Sequence, residues 1–323
     1  MKKTGFIFNY LIALFLIIGI TFLLPRLMKG DPLLAIYGEE ALISMTPQLK
    51  AEITRRFSLD QPLFLQFFAY ISSLFKGDMG FSYYYNAPVF RVVMGALPWT
   101  LLLAGLAMLF STLFGSILGI ESGYRRKFLF DRALLTGLIS LNGFPDFFIG
   151  ILMLLLFGVS LGLFPLAGAM TAYAGKSGLS LVTDIMHHLA LPLISLILVR
   201  MTATYLITRN TMITTMGKPF ILTARAKGCR DSAIRYRHAG RDSLLPVITL
   251  FGIQLAHIIT ATLFVEIVFS YPGIGFLLYN SLSSRDYPMI QGILLMVAFG
   301  VLIINLLIDL LYPKIDPRIA YAY

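Results

Sequence analysis

Long apolar stretches recur along the chain, separated by more polar segments. Six stretches of about 20 or more mostly apolar residues lie at 6–25, 97–123, 133–164, 189–208, 246–270 and 289–311. A helix of about 20 such residues, rising about 1.5 Å per residue, crosses a hydrocarbon core of roughly 30 Å. The pattern therefore predicts an all-α polytopic membrane protein with six transmembrane helices. The first stretch is too long for a signal peptide and is expected to stay as an anchor.

The segment between the first two apolar stretches, 26–96, is long and mixed in character. Apolar residues recur there at helical spacing, with Pro47 near one start and Pro62 at a second. Proline fits the first turn of a helix, where its missing N–H is not needed, and breaks a helix elsewhere. We therefore expect two short amphipathic helices in this segment.

A second polar segment, 209–245, lies between the fourth and fifth apolar stretches. Pro219 suits the first turn of a helix, and no breaker follows until Gly228, a residue type that commonly ends helices. Asp231 or Ser232 can cap a second helix before the next apolar stretch. The segment is thus predicted to fold as helix, turn and helix.

Composition and charge fit a membrane protein. Only 13 % of the 323 residues are charged, and the mean hydropathy is +0.81, which is not typical of a soluble domain. Lysine and arginine are concentrated at the N-terminus, in 124–132, in 209–245 and in the C-terminal tail. Because short cytoplasmic loops retain these residues, both termini are predicted to be cytoplasmic and 26–96 external. The net charge of +10 then reflects topology and contact with membrane lipids, and no nucleic acid is expected as a partner.

Three ionisable residues lie inside the predicted spans, where charge is unfavourable and tends to face a pathway or another charged group. They are Asp146, Arg200 and Glu266. Asp146 follows Pro145, so its carboxylate can accept hydrogen bonds from backbone groups that the proline leaves without a helical partner. For each of the three residues, structural pairing and a role in a translocation pathway both remain open.

No pattern of an enzyme or of a bound cofactor is present in the sequence. The adjacent His187 and His188 cannot share one helix face, and no cluster with metal-ligand spacing accompanies them. The Gly-Lys-Ser at 175–177 lacks the earlier glycine of a phosphate loop. We expect no catalytic residues, no metal and no cofactor.

The order of residues in 209–245 is more specific than its charge. "TARAKG" (223–228), followed by "LLP", resembles the EAA loop by which the membrane subunits of ATP-binding-cassette importers dock on their ATPase. This copy lacks the usual acidic residue, a variant common in the dipeptide, oligopeptide and nickel permeases. The segments "GDPLLAIYG", "GDMGFS", "VEIVFSYPGIG" and "DLLYPKIDPRI" resemble the same branch in the expected order, over essentially the whole chain.

The resemblance implies a permease subunit in a bacterial plasma (inner) membrane, forming half of a pathway for di- or oligopeptides or a nickel chelate. Its expected partners are a second, homologous permease, two ATPase subunits and an external substrate-binding protein. ATP hydrolysis would belong to the ATPase partners. The rival interpretation, a self-sufficient secondary transporter or channel, would need internal repeats, filter motifs or coupling groups at the membrane midplane, and no convincing repeat is present.

The resemblance also assigns roles along the chain. Residues 1–96 form the first transmembrane helix and an external helical segment, 97–311 form a five-helix permease core, and 312–323 form a cytoplasmic tail. The coupling loop, 209–245, would contact the ATPase through six residues: Thr223, Ala224, Arg225, Ala226, Lys227 and Gly228. Ala224 and Gly228 lie four apart on one face, which predicts a patch almost without side chains.

An external turn is a candidate landing surface for the binding protein. The residues concerned are Tyr271, Pro272, Gly273, Gly275, Arg285 and Asp286. A rigid proline turn with two glycines fits such a surface, and it equally fits an ordinary connection between two spans.

Overall fold

The computed structural model describes residues 3–27, 46–48, 61–82, 84–256, 258 and 260–315. The helices are α1 (Lys3–Leu27), α2 (Leu63–Phe75), α3 (Val89–Tyr124), α4 (Leu129–Asn142), α5 (Asp146–Met153), α6 (Leu179–Thr215), α7 (Pro219–Ala226), α8 (Arg241–Ser243), α9 (Leu245–Ala256), α10 (Leu263–Val268), α11 (Ile274–Ser283) and α12 (Tyr287–Ile315). Two π-helical segments, Leu154–Ser160 and Ala233–Gly240, and a 3₁₀ turn, Thr260–Thr262, are also present. Strands β1 (Phe81–Ser82) and β2 (Ala87–Pro88) pair antiparallel, with Phe81 opposite Pro88 and Ser82 opposite Ala87.

The structure confirms a helical membrane protein. Among the described residues, three helices are long and apolar enough to cross a membrane: Val89–Tyr124, Leu179–Thr215 and Tyr287–Leu310. A bent pair, Leu129–Asn142 with Asp146–Ser160, makes a fourth if the two helices count as one span. Six spans therefore stay a prediction. The first predicted stretch lies in α1, and the fifth holds α9, the 3₁₀ turn and α10.

The third predicted stretch, 133–164, is not one straight helix. Its two helices, α4 and α5, meet at a bend of 101°. Gly143 and Pro145 explain the break, because glycine weakens a helix and proline can neither donate a backbone hydrogen bond nor follow a helical residue easily. The C-terminal end of α4 and the N-terminal end of α5 therefore lie next to each other at this bend.

The described residues fall into two compact units, one within Met1–Trp99 and Gly273–Tyr323 and the other Thr100–Pro272. In the first unit α1 and α12 pack together, and Val89, Met289 and Ile293 lie fully buried in one apolar cluster. The predicted helix after Pro62 is confirmed as α2, and its Phe67 packs edge-on against Phe22 of α1, with ring centroids 5.1 Å apart. The helix expected to begin near Pro47 lies mostly outside the described residues.

In the second unit, α3 lies unusually close to α6 along a line of glycines. A Cβ atom on Gly115, Gly119 or Gly123 would come within 2.7 Å of an atom of α6. The nearest atoms include backbone carbonyl oxygens of α6, which cannot move without displacing the helix. Only glycine permits this close approach, so the three positions fix how α3 and α6 pack.

Candidate functional site

The predicted coupling loop overlaps α6, which continues to Thr215, and then contains α7, whose two ends match the sequence prediction. Pro219 occupies the first turn of α7, and Gly228 follows the helix with a φ of +74°. The N–H of Gly228 donates to Arg225 O over 2.9 Å, and that of Cys229 donates to Ala224 O over 3.2 Å. This pair of bonds is a Schellman motif, in which a left-handed glycine closes the helix. The predicted stop at Gly228 is confirmed.

The second half of the coupling loop differs from the expected capped helix. A π-helical segment, Ala233–Gly240, leads into α8 and α9, and Ser232 makes no capping hydrogen bond. The helix, turn and helix order is confirmed, but a cap by Ser232 is wrong, because Ser232 already has helical backbone angles and so lies inside the helical segment.

The patch predicted at Ala224 and Gly228 is wrong for Ala224, whereas Gly228 is exposed. Ala224 is 6 % exposed and belongs to a buried cluster of this chain. The cluster also holds Ile120, Met212, Ile221, Ile234 and Ala239. The reason is periodicity: Ile221 and Ala224 lie three apart and form the inward face of the helix.

The outward surface of α7 consists of other residues. Leu222 is 63 % exposed, and Thr223 and Ala226 are exposed beside it. Arg225 and Lys227 are also exposed. We call Leu222, Thr223 and Ala226 the α7 face. It combines one large apolar side chain with two small ones, a suitable shape for contact with another protein.

Charged and aromatic groups attach the coupling loop to the end of α3. Arg235 Nη1 lies 2.8 and 3.0 Å from the two carboxylate oxygens of Glu121, and its guanidinium stacks 4.3 Å from the ring centre of Tyr124. Tyr236 donates its hydroxyl to the same carboxylate. This hydrogen bond raises the pKa of Tyr236. On the other side, Asp242 accepts hydrogen bonds from Thr215 and Lys218 at the end of α6.

The structure brings two of the three ionisable span residues together. Arg200 of α6 donates from Nε and Nη2 to Oδ2 of Asp146, over 3.2 and 3.0 Å. Glu266 is fully buried at a different place, in α10, and accepts a 2.8 Å hydrogen bond from Thr262 Oγ1. The choice between a structural and a pathway role stays open at this point for all three residues.

A second ion pair was not predicted. Asp131, in the first turn of α4, accepts from Arg209 of α6 over 2.6 and 2.8 Å. It also accepts from Ser122 Oγ and from the N–H of Lys127. Because the two partners are far apart in sequence and lie near the ends of helices, no local pattern could have paired them.

The external candidate set is mostly buried. Tyr271, Gly273, Gly275 and Asp286 are buried, Pro272 is half-buried, and Arg285 is exposed. Asp286 accepts hydrogen bonds from Ser82 Oγ and from the N–H of Met289, so it caps the start of α12. Burial raises the pKa of Tyr271. Docking of a binding protein through this set stays a prediction, and direct contact could involve only its accessible members.

Comparison with known proteins gives two family matches that together span most of the chain. Residues 5–104 match the family described as "Binding-prot-dependent transport system membrane comp, N-term". Residues 111–321 match the family described as "Binding-protein-dependent transport system inner membrane component".

Individual relatives align over nearly their whole length. The chain is 35 % identical to the di/tripeptide transport system permease protein DppB of Pseudomonas aeruginosa, covering 94 % of this chain and 93 % of the relative. It is 30 % identical to the dipeptide transport system permease protein DppB of Escherichia coli K12, covering 99 % and 98 %. It is 33 % identical to the glutathione transport system permease protein GsiC of Salmonella typhimurium, covering 96 % and 95 %.

The chain belongs to the family of inner membrane components of binding-protein-dependent transport systems. It is the permease subunit of an ATP-binding-cassette importer, and it is not itself an enzyme. Such a subunit works in the membrane with another permease, an ATPase and a substrate-binding protein.

Proposed function

We propose that this permease subunit forms half of an inward pathway for free di- or tripeptides. The observation that carries the proposal is the full-length similarity to permeases named for di/tripeptide, dipeptide and glutathione transport. Glutathione is itself a small peptide, so the three names describe one class of solute. A nickel chelate is the alternative cargo, because the sequence also resembles nickel permeases.

We further propose an assembly of this chain with a homologous permease, two ATPase subunits and an external binding protein. The α7 face would be the contact with the ATPase. Two observations support this role: the face is exposed in the chain, and the coupling loop that carries it is attached by Arg235 and Asp242 to the ends of α3 and α6. Movement of the ATPase would then reach the spanning helices directly.

The substrate is tested by reconstituting the permease with its homologous partner, its ATPase and its binding protein in proteoliposomes. We expect ATP-dependent accumulation of a radiolabelled free dipeptide, and none when the ATPase is omitted. Uptake without the ATPase would contradict the importer mechanism. Uptake of a nickel chelate with no dipeptide uptake would replace the proposed cargo and leave the importer in place.

Both termini and the coupling loop are proposed to be cytoplasmic, with 26–96 and the loop that precedes α6, 161–178, external. In a Cys229→Ser background, Ser177→Cys should react with an impermeant thiol reagent applied to intact spheroplasts, whereas Ser232→Cys should react only after lysis. Both positions are exposed, so access depends on sidedness. Equal reaction of the two variants in intact cells would overturn this topology.

A further inference from the structure

Arg200 lies near the middle of the apolar part of α6. Between His188 and Arg209, no other Lys, Arg, His, Asp or Glu is present. At about 1.5 Å per residue, Arg200 is about 18 Å from His188 and about 14 Å from Arg209 along the helix. This apolar stretch is therefore about 32 Å long, close to the roughly 30 Å of a hydrocarbon core. A guanidinium at this depth needs a carboxylate, protein or water around it.

The Asp146–Arg200 ion pair is partly exposed, whereas the Asp131–Arg209 pair between α4 and α6 is more deeply buried. The Asp146 and Arg200 side chains are 27 % and 26 % exposed, whereas those of Asp131 and Arg209 are 3 % and 13 % exposed. Both contacts from Arg200 reach one oxygen of Asp146, Oδ2. Among the residues that the structure describes, none donates a hydrogen bond to its Oδ1. Asp146 can therefore bind a further donor without losing Arg200.

The broken helix supplies a second, independent observation at the same place. The connection between α4 and α5, residues 143–145, is exposed in this chain, and Asp146 follows it directly. Non-helical backbone at membrane depth is tolerated where it is covered by protein or lines a water-filled cavity, and it does not face lipid. The exposed side of the bend is thus expected to be covered by the second permease or to face the pathway, and the exposed ion pair beside it favours the pathway.

We infer that Asp146 and Arg200 form a binding site for zwitterionic solutes on the translocation pathway. The carboxylate of Asp146 binds the ammonium of a free peptide, and the guanidinium of Arg200 binds its carboxylate. Ions of one sign would be attracted by one residue and repelled by the other, so the pair favours a solute with both charges. The inference rests on the proposed peptide cargo.

Neutral variants separate this role from a structural ion pair. Either Asp146→Asn or Arg200→Gln removes one charge of the pair and leaves the other charge unpaired inside the membrane. Each single variant is therefore expected to lower the amount of assembled complex. The double variant D146N/R200Q removes both charges and should restore that amount. We expect its maximal dipeptide uptake per assembled complex, with saturating loaded binding protein, to remain about tenfold or more below wild type. Restored uptake would overturn the inference.

The Asp131–Arg209 pair provides the matched control. In the double variant D131N/R209Q, uptake per assembled complex should stay near wild type, whatever the amount of complex. A tenfold loss per complex in this control as well would mean that removing any ion pair between these helices stops transport, and the inference would fail.

Thiol labelling tests whether the site is accessible to water. In a Cys229→Ser background, Phe144→Cys, at the exposed bend two residues before Asp146, should react with a small impermeant thiol reagent, and a transported free dipeptide should slow that reaction during ATP turnover. Asp131→Cys should not show this protection. An unreactive Phe144→Cys in a complex that transports dipeptide would overturn the site and leave the proposed cargo intact. A wild-type complex that transports no dipeptide would instead reject the cargo.

Discussion

Gly119→Leu is expected to remove most of the protein from the membrane. A Cβ atom at this position would lie 2.7 Å from Thr208 Cβ, 2.9 Å from Tyr205 O and 3.1 Å from Arg209 N. Two of these three atoms are backbone, so α3 and α6 must separate to admit any side chain. Overpacking of this kind costs about 3 kcal/mol. The amount of membrane-inserted protein and its melting temperature in detergent measure the effect.

Gly105→Leu is the matched control, because Gly105 lies on the same helix and a Cβ atom added there would have no neighbouring atom within 4 Å. It is expected to insert and melt as the wild type does. Equal loss in the two variants would show that leucine is harmful anywhere on α3, and the close approach of α3 to α6 would no longer explain the result.

Ala226→Asp is expected to leave the protein in the membrane and to weaken its binding to the ATPase strongly. Ala226 is exposed on the α7 face, so the charge is solvated in the free subunit and becomes unfavourable only when a partner covers it. Leu222→Asp should act in the same way, since a large apolar side chain is replaced at the same face. We expect about tenfold or more weaker copurification of the ATPase, with a parallel loss of uptake.

Ala224→Asp, two residues from Ala226, distinguishes the two faces of the helix. Ala224 is packed inside the chain, so its replacement should lower the amount of folded protein by burying an unpaired carboxylate, at a cost of about 3 kcal/mol. If Ala224→Asp were abundant but uncoupled while Ala226→Asp transported normally, the contact face of α7 would be the opposite of the one proposed.

Much of the fold follows from short-range patterns. An apolar run long enough to cross a bilayer is visible in the sequence, and α3, α6 and α12 each contain one. The ends of α7 could be predicted because proline and glycine act through their own backbone: Pro219 in the first turn, and Gly228 with a positive φ after the helix.

The features that define the candidate sites depend on contacts between distant residues. The orientation of α7 is set by the buried cluster in which Ala224 lies with Met212 and Ile234, and a local motif cannot reveal this. The pairing of Asp146 with Arg200 joins positions 54 residues apart. Sequence identified both residues as unusual because charge is rare at that depth, but it could not choose partners.

The length of α6 has a mechanical consequence. Its 37 residues extend about 55 Å, well beyond the roughly 30 Å of a hydrocarbon core. Near its coupling-loop end, Thr215 bonds to Asp242, and further along the helix Arg200 bonds to Asp146 at the bend. These two attachments are about 22 Å apart along one continuous helix. The helix is therefore a lever arm, and a tilt of a few degrees imposed at the coupling loop would displace the bend by one or two ångströms.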